Sequence, residues 1–324
     1  MKILITGGAG YIGSHVVKLL GEETDHDISV IDNLSTGNKE ALLFGELIEA
    51  DLSNFDLIEK IMKEKNFDAV IHFAASIIVP ESIENPLKYY LNNTVNTTNL
   101  INLCDKTGVK NFIFSSTAAV YGEPKVAQVS ETTPLAPINP YGASKMMSER
   151  VLIDTAMANS NFKYVIFRYF NVAGADIKGR IGQSFRNATH LIKVAAQSAL
   201  GIRDKIEIFG TDFGTPDGTG IRDYIHVDDL AKAHLLGIEY LQNNNSNLFN
   251  CGYGHGFSVK EVLEAMKKVS KVDFRVDIAP RRAGDPASLI SNNSKILQKL
   301  NFKPKYDDIE IICKTALEWE KKCK

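Results

Sequence analysis

Tyr141 and Lys145 stand four residues apart in NPYGASKMMS (139–148). On a helix that spacing puts a phenol and an ammonium on neighbouring turns, where the cation favours the ionised phenol. A tyrosine titrates near ~10, so work as a base near neutrality requires a shift of about three units, or about 4 kcal/mol. The same spacing also describes an ordinary exposed helix pair, so the chemistry depends on what else reaches the two side chains. A second group with chemical potential is LITGGAGYIGSH, where Gly7, Gly10 and Gly13 lie between an apolar run and a helical pattern. Glycines at these places permit a tight turn, close approach of a pyrophosphate and a helix packed near its strand, and the helix N-terminus offers amide donors to an anion. Asp32 follows 25 residues after Gly7 at the end of the next apolar run. There a carboxylate accepts hydrogen bonds from ribose hydroxyls and repels a ribose phosphate, favouring NAD over NADP; a turn-initiating Asp in DNLSTG is the alternative.

The elements that must position these residues are legible as a pattern. Apolar, β-branched runs at 2–6, 28–32, 69–75, 112–116 and 164–170 alternate with helix-length segments at 11–20, 54–65, 86–107 and 141–158. That rhythm predicts an α/β fold, a doubly wound parallel sheet with strands buried on both faces. Asn139-Pro140 is a cap followed by a first-turn proline, a start signal for the 141–158 helix. Ligands of such sheets bind beyond the carboxyl ends of the strands, which brings Ser116 or Thr117 within reach of Tyr141. After about residue 171 the rhythm changes: 210–220 and 242–247 read as loops, and 258–268 as an amphipathic helix opened by a Ser cap. A smaller, loop-rich second domain is expected there.

The 324 residues, 44% hydrophobic and 23% charged with a formal net charge of -2, describe a globular chain without the basic excess of a nucleic-acid binder. Cys104, Cys251, Cys313 and Cys323 have no metal-ligand or disulfide-scaffold spacing and read as free thiols. MKILITGGAG carries too short an apolar core for an export signal, and no stretch reaches the length of a membrane span, so the expected compartment is the cytoplasm.

Taken together, TGGAGYIGSH, DNLSTG, VIHFAAS, NPLKYYLNNTVNTTNL, FIFSSTAAVYGE, NPYGASK, RYFNVAGA, DGTGIRDYIHVDDLA and APRRAGD resemble the landmarks of the extended short-chain dehydrogenase/reductase family, and of its UDP-glucose 4-epimerase branch, through nearly the whole chain. The resemblance implies an NAD-binding Rossmann domain over 1–170 that also receives 221–240, and a nucleotide-sugar domain over 171–324. It implies cofactor contacts at Gly7, Gly10, Tyr11, Ile12 and Gly13 for the phosphates; Asp32, Asn33 and Gly37 for the ribose; Asp51 and Leu52 for adenine; and Phe73, Ala74, Ala75 and Asn92 along the strand ends. Tyr141 becomes the general base, Lys145 its electrostatic partner on the nicotinamide ribose, and Thr117 the catalytic hydroxyl. For a UDP-sugar substrate it implies Asn171 at the diphosphate, and Phe209, Arg222, Arg282 and Asp285 around uridine, phosphate and ribose. Arg281 reads as a loop arginine. A homodimer through 86–107 and 141–158 is implied too, with no metal.

The implied reaction is reversible epimerisation at C4 of a UDP-hexose through a 4-keto sugar, with NAD held as a prosthetic group. Two positions depart from the pattern. Ile77 stands where the family often has a Lys reaching the cofactor phosphates, which removes one charge contact. Leu289 stands where strict glucose/galactose epimerases carry a bulky Tyr, so N-acetylated UDP-hexosamines are expected to fit as well. A 4,6-dehydratase would need an Asp-Glu pair near Thr117, Ala118 and Ala119, where this chain has no carboxylate. A non-catalytic NAD-binding sensor or scaffold is the alternative of another class.

Overall fold

The computed structural model describes residues 1–185, 189–282 and 284–323. Its centre is a parallel sheet built from β1 (Lys2–Thr6), β2 (Asp27–Asp32), β3 (Glu46–Glu49), β4 (Ala69–His72), β5 (Asn111–Thr117) and β6 (Lys163–Tyr169), with Asn247–Cys251 added beyond β6. The order across the sheet is Asn247–Cys251, β6, β5, β4, β1, β2, β3. It reverses direction of growth between β1 and β4, which opens a crevice above their carboxyl ends. Helix α1 (Tyr11–Glu23) follows β1, and α2 (Phe55–Lys65) precedes β4.

Alternate residues of one strand enter different cores. Ile3 and Ile5 of β1 pack with Val16, Val17 and Leu20 of α1, whereas Leu4 packs on the opposite face with Ile58 and Met62 of α2. Both faces are therefore covered, the condition under which continuous apolar runs are stable as parallel strands.

Some elements differ from the sequence pattern. The run at 69–75 leaves the sheet after His72, and the amides of Phe73 and Ala74 both donate to the Thr6 carbonyl, turning the chain over the end of β1. The 86–107 helix is three pieces: Pro86–Tyr89, a π-helical turn Tyr90–Val95, and Asn96–Thr107. The wider turn coincides with Asn93, whose buried amide reaches Ser76 (3.0 Å) and Ser144 (3.1 Å), and insertions of this kind recur where a side chain must point inward. Strand β3, ELIE, was hidden by its two glutamates at a sheet edge. The 242–247 loop reading also overreaches, because Val227–Asn243 is helical and Asn247 opens a strand.

The helix Pro140–Ala158 begins where the cap signal lies: Asn139 Oδ1 accepts from Gly142 N at 2.9 Å. Ser258 caps Val259–Ser270 through a reciprocal box with Glu261. Beyond β6 the chain builds smaller sheets: Tyr224–His226 on Asn171–Ala173, Val276–Ala279 on Ile206–Phe209, and Ile221–Arg222 between Phe257–Ser258 and Ser288–Leu289. Between these pieces the helix Val227–Asn243 packs on α1, so the segment joining the central sheet runs on to Cys251. Among the described residues no helix is long and apolar enough to cross a membrane.

Candidate active site

The glycine loop holds strand, loop and helix in close backbone contact. Gly7 has φ +70°, and a Cβ there would lie 2.6 Å from Ala74 N; one on Gly13 would lie 2.3 Å from the Gly7 carbonyl oxygen. Gly10 is the N-cap of α1 without a side-chain hydrogen bond to the first turn, and that turn carries no acid. The amides of Tyr11, Ile12 and Gly13 thus open α1 with neither a side-chain cap nor a repelling charge, the condition an anion requires. Tyr11 can serve an anion only through its backbone, because its phenol donates to the Gly174 carbonyl at 2.6 Å.

Asp32 is buried at the end of β2, its carboxylate accepting from Ala9 N and Leu34 N, each at 2.9 Å. It braces the glycine loop, and Gly37 lies close against both Ala9 and Asp32. Asn33 donates to Asp51 at 2.6 Å, and Ser53 with Asn33 holds the Asp51 carboxyl below its usual range. Leu52 packs against the α2 side of the core, and Phe73 lies 4.9 Å from the ring of His234. Asn92 reaches Ser76 Oγ at 3.0 Å, which places it against the loop that carries Ala74 and Ala75. Ile77 on the same loop is exposed. This donor set and cradle fit a dinucleotide.

At the neighbouring strand end, β5 and the helix Pro140–Ala158 bring the reactive groups together. Thr117 stands close enough to the Tyr141 phenol to favour its ionised form, whereas the Ser116 hydroxyl is turned to Glu149, to which it donates. Burial pushes the Tyr141 phenol up and the Thr117 hydrogen bond pulls it back. Lys145 is buried, donates to the Ser115 carbonyl at 2.8 Å and sits 4.9 Å above the Phe114 ring. Burial pushes its ammonium down to about 7, against the attraction of Glu149. Tyr89 meets Tyr141 edge to face at 6.4 Å and ties the 76–78 loop by hydrogen bonds to both the amide and the carbonyl of Ile78.

The substrate-side residues converge from distant segments. Asn171 is exposed just beyond β6, and Arg222 lies 3.6 Å from Asp285. Arg282 stacks its guanidinium 3.5 Å over Phe209, while Arg281 lies 4.2 Å over Phe213 and donates to Asp212 at 2.6 Å. Leu289 is buried beside Ala118, Tyr121 and Phe170. Sequence reasoning passed over Glu149 and Arg168, a buried bidentate pair at 2.9 and 2.6 Å that ties the Lys145 helix to β6. Their signal was available: a Glu one turn after Lys145, and an Arg inside an apolar strand.

The profile of the NAD dependent epimerase/dehydratase family matches residues 3–252. The chain is similar to the UDP-glucose 4-epimerase of Azospirillum brasilense, 49% identical over 99% of this chain and 92% of that protein. Among solved structures it is similar to the UDP-Glc/GlcNAc 4-epimerase of Campylobacter jejuni, 61% identical with a TM-score of 0.88 and 99% of each chain covered. It is also similar to the UDP-glucose 4-epimerase of Brucella ovis in complex with NAD, 42% identical with a TM-score of 0.93 and 98% and 97% covered.

Proposed function

Because the chain belongs to the NAD dependent epimerase/dehydratase family, we propose that it is an NAD-dependent isomerase that inverts C4 of UDP-hexoses through a transient 4-keto sugar. The observation that carries this reading is the carboxyl end of β5, where Thr117 stands by the Tyr141 phenol and buried Lys145 is fixed to the Ser115 carbonyl. NAD, when bound, supplies the acceptor and later the donor of the C4 hydride.

The chain's own residues handle the proton. Tyr141 as phenolate removes the proton of the sugar 4-hydroxyl and returns it after the ring has presented its other face. Thr117 steadies the phenolate by its hydrogen bond. Lys145, fixed to the Ser115 carbonyl, holds positive charge against the ribose side of the cleft. Since burial alone favours the neutral phenol, added positive charge near the ring is what readies the base. Elimination, the dehydratase chemistry, would need an acid pair after Thr117, where the chain has Ala118 and Ala119, and the nearby buried carboxylate of Glu149 is committed to Arg168. Purified protein given UDP-galactose without added NAD is expected to form UDP-glucose, seen in the anomeric proton signals; loss of water from the sugar, or no conversion, would overturn the reading.

Gly7, Gly10, Tyr11, Ile12, Gly13, Asp32, Asn33, Gly37, Asp51, Leu52, Phe73, Ala74, Ala75, Asn92, Tyr141 and Lys145 form the proposed NAD contacts, within a domain of 1–170 plus the returning 221–240, which the pairing of Asn247–Cys251 with β6 extends. The sugar nucleotide is assigned to 171–324 through Asn171, Phe209, Arg222, Arg282, Asp285 and Leu289. N-acetylated hexosamines are included because Leu289 is smaller than Tyr and is seated among Ala118, Tyr121 and Phe170. Leu289→Tyr is expected to cut turnover of UDP-N-acetylglucosamine about tenfold or more, with UDP-galactose within about threefold, as an overfilled pocket discriminates by size; equal loss on both sugars would refute the assignment. A homodimer is supported by Ile83, Leu87, Leu91 and Val95, exposed apolar side chains at four-residue intervals, with Leu87 69% and Leu91 61% exposed. The free cysteines accord with a cytoplasmic setting.

A further inference from the structure

Asp223 has no solvent exposure and is not one of the groups assigned above, yet it touches the segments that carry three of them. Its carbonyl accepts from the amide of Asn171 at 3.0 Å, and its own amide donates to the carbonyl of Leu289 at 3.3 Å. Arg222 is its neighbour in the chain. The carboxylate in turn is gripped on both oxygens: Oδ1 accepts from Tyr253 N at 2.8 Å, and Oδ2 from Gly254 N (3.0 Å), Ser291 N (3.1 Å) and Ser291 Oγ (2.6 Å). Gly252 leaves it room, since a Cβ there would lie 2.5 Å from Oδ2. Burial pushes the carboxyl up and these four donors pull it back.

We propose that Asp223 is a positioning residue of the substrate pocket, holding Asn171 and Leu289 at a fixed separation across one residue of backbone. The inference rests on the epimerase reading and adds to it a determinant outside the pocket wall. A carboxylate is required because every group facing it is a donor; an asparagine would set its own NH2 against them. The strand Ser288–Leu289 and Ser291 would then shift relative to Asn171, moving the diphosphate contact and the sugar wall together. The NAD cradle, on the loops after β1 and β2, would stay in place.

The test compares wild type, Asp223→Asn and Ser291→Ala, measuring bound NAD and the kinetics of UDP-galactose conversion. Asp223→Asn is expected to raise KM about tenfold, with kcat within about threefold and NAD content unchanged, the signature of lost substrate binding. Ser291→Ala removes only one donor and is expected to raise KM about threefold. A lower active fraction from poor folding would reduce kcat or NAD and leave KM alone, so that pattern, or an unchanged KM in either variant, overturns the proposal. Where Asp223→Asn does not fold, the KM of Ser291→Ala decides. A wild type that converts no UDP-hexose overturns the functional reading itself, which is a separate failure.

Discussion

Tyr141→Phe is expected to lower kcat for UDP-galactose by about 10³-fold, with KM changed less than about threefold and bound NAD unchanged. The substitution removes one oxygen from a ring that is otherwise packed against Tyr89, so the cleft keeps its shape. What disappears is the hydroxyl beside Thr117 that is proposed to act as the base. A non-catalytic sensor of NAD would lose nothing, since no cofactor contact in the glycine cradle passes through the phenol. Retention of more than a tenth of wild-type turnover would therefore remove Tyr141 from the chemistry.

The second large effect is expected on stability. Glu149→Ala should destabilise the fold by about 3–5 kcal/mol, because it strands the Arg168 guanidinium in the interior without its carboxylate. Burial works against the charge on Arg168, and the hydrogen bonds it donates to the Glu149 carboxylate more than offset it, holding the guanidinium above its usual range. Only Tyr121 at 3.1 Å and a distant contact to the Glu131 carbonyl would remain as partners. Urea unfolding at constant NAD reads the loss, and the pairing predicts non-additivity. Glu149→Ala combined with Arg168→Met should be more stable than Glu149→Ala alone, since the second change removes the unpaired charge. If the double variant is instead the less stable of the two, the pair is not the source of the effect.

Legibility along the chain follows how local each cause is. β1, β2, β5 and β6 were plain because strands buried on both faces are apolar at every position, and that needs no knowledge of their neighbours. The edge strand β3 and Asn247–Cys251 were not, since a short strand on a sheet border tolerates Glu and Asn, and only its neighbour makes it a strand. In the π-helical turn at Tyr90–Val95, a local pattern indistinguishable from an α-helix was reshaped by Asn93 reaching for Ser76 and Ser144. At the site, the Tyr141–Lys145 spacing and the glycine loop were visible because a helix turn and a strand-to-helix turn each confine their residues to a few positions.

The amino-acid sequence alone therefore determined the parallel sheet, the cap at Asn139 and the glycine loop ahead of α1, all of which depend on neighbours within a turn or two. It left open whether Ser116 or Thr117 stands beside Tyr141, and in the folded chain Glu149 takes the Ser116 hydroxyl while Thr117 lies by the phenol. The tertiary structure alone joined Asn171, Asp223 and Leu289, which no local rule connects. Their contact depends on the small sheets that close after the central one, where the cost of bringing distant segments together is met by burial and backbone pairing and not by any periodicity in the chain.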